Sequence, residues 1–540
     1  MFKKSFLIIS IVMIMILSAF VTGCVDKQNA GDAAAKTLIY GRGADSISLD
    51  PAQVTDGESL KVTRQIFDTL VQYKEHNTEV IPALAEKWEQ SEDGKTWTFY
   101  LRKGVKFHDG TDFNADAVVY NFNRWMDPKH PEHKGGEFPY YAYMFGGYLG
   151  DDGHVIKAVT AVDAHTVKFE LNFTSGPFLN NLAMPPFAIA SPTAVKADPV
   201  EFNQNPVGTG AFKIAENGWK KNDAITLIKN DNFWQKGFPL MDKLIYKSIP
   251  DNAARFTALQ AGDIDMMDGM NPDDSKTVKQ NDALALHIRP GMNIAYLAFN
   301  TEKKPFDNPK VRQALNMAVN KQGIINSFYA NMAEPAINPM PNVLWGYNDS
   351  VIDYEYNIEK AKQLLAEAGH PNGFEVEFYA MQDPRPYMPN GKKVAEYMQQ
   401  DFAKIGVKTK IVSYDWQTYK DRVGKGEHQM ALFGWIGDNG DPDNFLYVLL
   451  DKDNTRTPDA GNISFYRSEP LHSILIEAQR STDQSARSAL YEKAQDIIKK
   501  DAPWIPLVHA TVPEAARSDV KGWRPHPTGS EPLYNVSISK

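Results

Sequence analysis

Between residues 374 and 434 two hydrophobic periods take turns, and this alternation constrains the fold more than any other feature of the chain. Phe374-Glu-Val-Glu-Phe378 alternates with period two, as a half-buried strand does. Residues 392 to 405 place Val394, Tyr397, Met398, Phe402 and Ile405 on one helical face, and Gly406 stands where such a helix would stop. Residues 407 to 412 then read as a strand, 416 to 423 as a helix and 429 to 434 as a strand. Strand, helix, strand, helix, strand implies a largely parallel sheet with right-handed crossovers. In such sheets ligands bind beyond the carboxyl ends of the strands.

Two of those strand ends carry unusual residues. After the first comes Met381-Gln-Asp-Pro-Arg385-Pro-Tyr387, and after the last comes Trp435-Ile-Gly437-Asp438-Asn-Gly-Asp441-Pro-Asp443-Asn444. Parallel strands put both loops on one edge, so Arg385 and Asp438 can face a single cleft. A fixed cation and a fixed anion a short distance apart suit a zwitterion lying between them: guanidinium grips a carboxylate in bidentate fashion, and a carboxylate accepts from an ammonium. The plain alternative is that the two residues pair with each other or with surface neighbours. A calcium loop is excluded by spacing, because counting from Asp438 puts Gly440 and Pro442 where ligands belong. Asp441 and Asp443, around a proline just before an apolar run, read as helix caps.

The first half of the chain is strand-rich with interspersed helices. Residues 96 to 101 and 166 to 171 alternate cleanly, and Asn308-Pro309 opens a helix. His108, beside Asp109, reads as a surface turn residue. The chain has 540 residues, 43% hydrophobic and 23% charged, enough for two or three cores. Its net charge is -9, with no basic tract, which argues against nucleic acid as a partner. The 12 histidines are scattered without zinc spacing, so no metal and no cofactor are expected. Gly41-Arg-Gly-Ala-Asp-Ser lacks the third glycine of a dinucleotide loop, and no Gly-x-Ser-x-Gly elbow occurs. An enzyme is therefore not expected, with a secreted peptide hydrolase as the remote alternative.

The amino terminus sets the compartment. Lys3 and Lys4 precede an apolar stretch, and Val21-Thr22-Gly23-Cys24 resembles the bacterial lipobox, with Cys24 the chain's single cysteine. This reading makes residues 1–23 a lipoprotein signal peptide, Cys24 the lipidated residue and 24–35 a flexible tether. The protein is then lipid-anchored at the cell membrane on its extracytoplasmic face. With no second cysteine, an intrachain disulfide is impossible.

Arg385-Pro-Tyr387, Gly426-Glu-His-Gln429 and Gly434-Trp-Ile-Gly-Asp-Asn-Gly-Asp-Pro-Asp-Asn444 resemble the dipeptide-binding members of extracellular solute-binding protein family 5, which serve ABC importers. Similar segments run through the chain, among them Thr78-Glu-Val-Ile-Pro82, Leu101-Arg-Lys-Gly-Val105, Pro206-Val-Gly-Thr-Gly210 and Val311-Arg-Gln-Ala-Leu315. The resemblance implies an α/β, two-lobe periplasmic-binding-protein-like fold of class II, cluster C type, with an extra subdomain in lobe one. Lobe I would span 36–290, lobe II 291–508, and 509–540 would return to lobe I, with a hinge near 289–292 and 506–511. By the same resemblance Asp438 receives the ligand's amino group, Arg385 its carboxylate, and Tyr387 stands beside them. Thr55 meets the peptide backbone, and Gly57, Trp435 and Gly437 belong to the same site. Asp56 and Glu58 are more acidic than the family's usual residues there. The tyrosines of 135–150 align too loosely for single assignments. The implied function is capture of dipeptides by lobe closure and delivery to the membrane permease subunits of an importer, by a monomer. The family's other ligands are longer peptides, haem, glutathione and nickel complexes.

Overall fold

The computed structural model describes residues 35–133 and 137–539. The signal segment, Cys24 and the tether up to residue 34 lie outside the described residues, as does part of the Gly-Gly stretch at 134–136. Among the described residues no helix is long and apolar enough to cross a membrane.

The two clearest period-two runs become neighbours. Thr96–Leu101 and Thr166–Leu171 pair antiparallel, with Trp97 opposite Phe169 and Phe99 opposite Val167 on the buried face. Ala85–Gln90 and Ile156–Asp163 flank them to complete a sheet of four strands. This sheet is additional to the two that organise the lobes.

The first of those has the order Leu284–Arg289, Val512–Arg517, Met266–Met267, Thr37–Arg42, Lys243–Ser248, Ala224–Lys229, Phe212–Lys220. Its core gathers Leu38, Tyr40, Phe212, Ile225 and Leu244. The other has the order Ala333–Pro335, Trp504–Ala510, Asn293–Phe299, Met430–Ile436, Glu375–Met381, Lys408–Tyr414. At its centre Asn293–Phe299 is buried at every position, as its near-continuous apolar run requires. Tyr296 stacks on Trp504 with ring centroids 3.6 Å apart.

The alternation from 374 to 434 folds as strand Glu375–Met381, helix Gly391–Ala403, strand Lys408–Tyr414, helix Trp416–Gly424 and strand Met430–Ile436. Asn390 and Asp415 cap the two helices by accepting from Lys393 N–H and Thr418 N–H, and Gly406, at φ 81°, turns the chain after the first. The three strands of this unit are parallel. The sheet as a whole is mixed, not largely parallel: Asn293–Phe299 runs antiparallel to both Met430–Ile436 and Trp504–Ala510. The reason is topological. The chain enters this sheet along Asn293–Phe299 and leaves along Trp504–Ala510, both at the edge facing the first sheet, so the two must run in opposite directions. Asn293 pairs with Ile436, which puts the carboxyl ends of Met430–Ile436 and Glu375–Met381 at that same edge. The loops with the unusual residues therefore project toward the other lobe.

The chain passes between the lobe sheets twice. One passage lies between Arg289 and Asn293; the other is at Thr511, because the strand Trp504–Ala510 runs two residues past the 508/509 boundary expected from sequence. The Asn293 amide joins the passages, donating to Ala510 O at 2.7 Å and accepting from Ala510 N–H at 2.9 Å. Beside them Arg289 is paired with Glu514, both almost fully buried. His108 does lie in a turn, as expected, but is half-buried and not a free surface side chain: its Nε2 lies 2.9 Å from Gly210 O, and burial pushes its pKa down to about 4.

Burial holds the Glu514 carboxyl up at about 7 against the pull of Arg289, with Glu531 nearby adding to the rise. Arg289→Met would leave that carboxyl buried without its cation, a loss of about 3–5 kcal/mol. Thermal unfolding should show a lower Tm at pH 8. The deficit should narrow as pH falls toward and below about 7, where Glu514 takes up a proton.

Candidate functional site

The two projecting loops, the amino end of helix Gly57–Ile66 and the aromatic helix Pro139–Phe145 enclose a cavity of about 240 Å³ between the lobes. Measured the same way, one water needs only about 10–15 Å³. Its wall includes Thr55, Gly57, Tyr140, Tyr143, Arg385, Tyr387, Trp416, Lys420, Trp435 and Asp438. The backbone explains why these residues meet. Phe378 and Met430 are register partners in parallel strands, so the chain after Met381 and the chain after Ile436 emerge side by side.

Arg385 sits on a loop tied at both ends. Its N–H donates to Met388 O at 3.0 Å, and Met388 N–H donates back to Arg385 O at 2.8 Å. Asp383 accepts from Trp416 N–H at 2.7 Å, which fixes the loop against the helix Trp416–Gly424. The guanidinium lies over the Trp416 indole, 4.6 Å from the ring centroid, an arrangement that favours a cation. Its Nε donates to Pro384 O at 2.7 Å. The other edge is nearly free: Nη1 is 3.9 Å from Glu58 Oε1, too far for a hydrogen bond, and Nη2 is buried with no partner. Two parallel donors held in this way form a receptor for a planar anion.

Asp438 is the converse. Its Oδ1 accepts from Tyr140 O–H at 2.8 Å and its Oδ2 from Asn444 Nδ2 at 3.1 Å. Asn444 uses its Oδ1 to accept from Asp438 N–H at 2.9 Å and from Trp435 Nε1 at 3.0 Å. All these donors are neutral, and among the described residues no cationic nitrogen lies within 4.0 Å of the carboxylate. Burial raises its pKa to about 7, and the hydrogen bonds from Tyr140, Asn444 and Trp435 offset only part of the rise. Asp438 and Arg385 do not pair with each other, so each retains capacity for a ligand.

Tyr387 is buried with its ring against the backbone of Gly434. A Cβ added at Gly434 would stand 2.3 Å from Tyr387 Cδ2 and 2.5 Å from Ile294 O, so glycine is required for this close approach. Thr55 Oγ1 accepts from Lys420 Nζ at 3.0 Å, across the cleft. Gly57 opens its helix with free space where a side chain would be. Gly437 lies behind the wall: its N–H donates to Met292 O at 2.8 Å, and an added Cβ would meet Met292 and Phe445, each at 2.9 Å. It shapes the turn that presents Asp438.

Asp443 is not a cap. The helix Asp443–Leu450 begins after Pro442 without a capping side chain, and the Asp443 carboxyl accepts from Gln479 Nε2 at 3.1 Å. Asp441 accepts from Asp443 N–H at 3.0 Å but is chiefly the partner of Arg487 at 2.7 Å. The sequence reading missed this because Arg487 is distant in the chain. It also left Tyr140 unassigned and gave Asn444 no part in the site. Two acids in the first-lobe loop have structural work. Asp56 caps Gly57–Ile66 by accepting from Ser59 N–H at 2.9 Å, and Glu58 faces Lys61 Nζ at 3.4 Å as well as Arg385. Elsewhere, His472 Nδ1 lies 3.1 Å from Asp451 and 3.9 Å from Asp453. That cluster is outside the cavity, and the hydrogen bond to Asp451 raises the histidine's pKa.

Residues 79–457 match the model of the bacterial extracellular solute-binding proteins, family 5 Middle. The chain is 40% identical over 523 residues to the dipeptide-binding protein of Escherichia coli, covering 94% of this chain and 96% of that one. It is likewise 40% identical over 526 residues to heme-binding protein A of Haemophilus influenzae, covering 95% and 94%. Among solved structures, the dipeptide-binding protein of Pseudoalteromonas in complex with Met-Leu superposes with a TM-score of 0.88 at 32% identity, covering 93% of this chain and 100% of that one. The periplasmic binding protein DppA of Helicobacter pylori, in complex with the peptide STSA, gives 0.87 at 38% identity, covering 93% and 98%. With its two lobe sheets, its additional four-stranded sheet and a ligand-sized cavity where the lobes meet, the chain belongs to family 5 of the bacterial extracellular solute-binding proteins.

Proposed function

We propose that the protein captures a dipeptide between its lobes and delivers it to the permease subunits of an ABC importer. One observation carries the reading: one cavity holds a carboxylate without a cation, Asp438, and a guanidinium edge with no hydrogen-bonded anion, Arg385, whose nearest carboxylate, Glu58, is 3.9 Å away. A free dipeptide brings the complementary charges at its two ends. Its ammonium would sit against Asp438 and its carboxylate across the open edge of Arg385, with Tyr387 and Trp435 beside them. Thr55 and Gly57 would face the peptide backbone from the other lobe. The fixed separation of the two anchors selects length. The volume around them leaves side chains in partly hydrated space, where they are read weakly.

Lobe I in this reading comprises 36–290 with 511–540, and lobe II comprises 291–510. The passages at 289–293 and 511 form the hinge, because two adjacent crossovers can bend without unpacking either sheet. Cys24 carries the lipid that holds the protein at the extracytoplasmic face of the cell membrane, and the protein works there as a monomer. It is a binder and not an enzyme: incubation with dipeptides should release no free amino acids.

Removing the partner of a buried ligand charge costs about 2–5 kcal/mol. Arg385→Ala and Asp438→Asn should each weaken dipeptide binding by at least about tenfold by calorimetry, with little change in Tm. Unchanged affinity in both variants, or tight binding of haem with none of dipeptides, would defeat the reading.

The raised pKa of Asp438 gives an independent check. N-acetylation deletes the ligand's cation, so an acetylated dipeptide must bury the Asp438 carboxylate unpaired at pH 8. As pH falls through about 7, Asp438 takes up a proton and that penalty goes. The acetylated ligand should therefore bind more tightly at pH 6 than at pH 8, while the free dipeptide should not. In Asp438→Asn the acetylated ligand should lose this pH dependence.

A further inference from the structure

Of the cavity-wall cations that the peptide's two ends leave unused, Lys61 and Arg289 are ion-paired with Asp268 and Glu514, and Lys420 is not ion-paired. It lies one helical turn beyond Trp416, the aromatic plate under Arg385, so its side chain enters the cavity near the carboxylate end of the ligand. Its ammonium has three donors. One reaches Thr55 Oγ1 at 3.0 Å, and among the described residues no carboxylate oxygen lies within 4.0 Å. Asp56 and Asp459 are the acids whose charge it feels, with Arg385 opposing them. Asp56 caps its helix with Oδ1, which accepts from Ser59 N–H, while its Oδ2 is buried without a hydrogen-bond partner and more than 4.0 Å from the Lys420 ammonium. Asp459 is exposed at the cavity wall, more than 4.0 Å from the ammonium, although partial burial raises its pKa. Burial outweighs the attraction of both acids and lowers the pKa of Lys420. The ammonium is thus under-compensated, on a residue that lines the space a ligand would fill.

Thr55 sharpens the point. Its hydroxyl oxygen accepts from Lys420, and Thr55 is also a residue expected to meet the peptide backbone. A peptide carbonyl can accept from the Thr55 O–H while the hydroxyl oxygen keeps its bond from Lys420, so the lysine stays in place and a neutral side chain brings it no charge to pair with. A ligand carboxylate does. A basic side chain would be repelled by Lys420 and Arg385 together.

We propose that Lys420 is a second anion receptor in this cavity and selects peptides that carry an acidic side chain. The inference rests on the dipeptide reading above. It is tested by calorimetry on the full mature chain with Ala-Glu, Glu-Ala, their glutamine isosteres Ala-Gln and Gln-Ala, and Ala-Lys. At least one glutamate peptide should bind about tenfold or more tighter than its isostere, the scale expected when a hydrogen bond gains a charged partner. The glutamate-to-glutamine ratio should collapse toward one in Lys420→Met and persist in Lys420→Arg. That ratio would not move if Lys420 only supported the fold, since destabilisation affects both isosteres alike. Equal binding of glutamate and glutamine peptides, the same ratio in Lys420→Met, or tightest binding of Ala-Lys would overturn the inference while leaving dipeptide capture intact. Failure of every dipeptide to bind would overturn both.

Discussion

The Asp438 carboxylate is removed from water among neutral donors, and much of the surrounding structure exists to make that tolerable without making it comfortable. Burying an ion costs several kcal/mol even after the protein relaxes. The hydrogen bonds from Tyr140 and Asn444 recover part of this, and a pKa near 7 measures what is left. An arginine or lysine beside it would have restored an ordinary pKa and filled the site. Asn444 instead satisfies the Asp438 backbone N–H, one carboxylate oxygen and the Trp435 indole together. It fixes the geometry and leaves the charge unmet.

Arg385 is built on the same logic with the sign reversed. Trp416 supports its flat face and Pro384 O takes its Nε, so rotation is limited while the outer edge makes no hydrogen bond. Opposite charges in one cavity would collapse together if their loops were slack. The Arg385–Met388 hydrogen bonds, the Asp383–Trp416 tie and the Asn444 clasp keep them apart. Glu58 approaches Arg385 but is also held by Lys61, which belongs to a buried ion pair with Asp268. The first lobe thus brings an acid toward the carboxylate receptor with a cation at its back, and a ligand carboxylate meets a partly neutralised neighbour.

The helix and strand alternation from 374 to 434 was legible in the sequence because each element is long and strongly periodic, and its placement of Arg385 and Asp438 on one edge followed from parallel topology alone. Thr96–Leu101 and Thr166–Leu171 were legible for the same reason. The antiparallel strands Asn293–Phe299 and Trp504–Ala510 were not. Both are buried on two faces, which erases alternation, and their direction is set by where the chain enters and leaves the sheet. The cap reading of Asp443 failed because local spacing cannot reveal Gln479 or Arg487. Tyr140 was hidden by its setting: in Pro139–Phe145 tyrosines crowd together, and only tertiary packing distinguishes the one that reaches Asp438 across nearly 300 residues of chain. Lys420 carried no signal at all, since a lysine on an amphipathic helix ordinarily faces solvent.

Tyr140 and Asp438 come from different lobes, so the burial that raises the carboxyl's pKa depends on closure. In the proposed clamp, parting the lobes would return Asp438 to water and remove the burial that raises its pKa. Closing over an empty cavity therefore either takes up a proton or buries an unpaired charge, and the second becomes the costlier course as pH rises above about 7. A ligand ammonium removes the choice, because it pairs with the carboxylate as the water leaves. The same reasoning applies at Arg385, where an anion replaces the hydration lost on closing. Closure is then favoured by a molecule with both charges at the right separation, and by neither charge alone. In the proposed clamp, selectivity thus follows from the energetics of two buried, unmatched ions, with the proposed hinge at 289–293 and 511 supplying only the freedom to act on it.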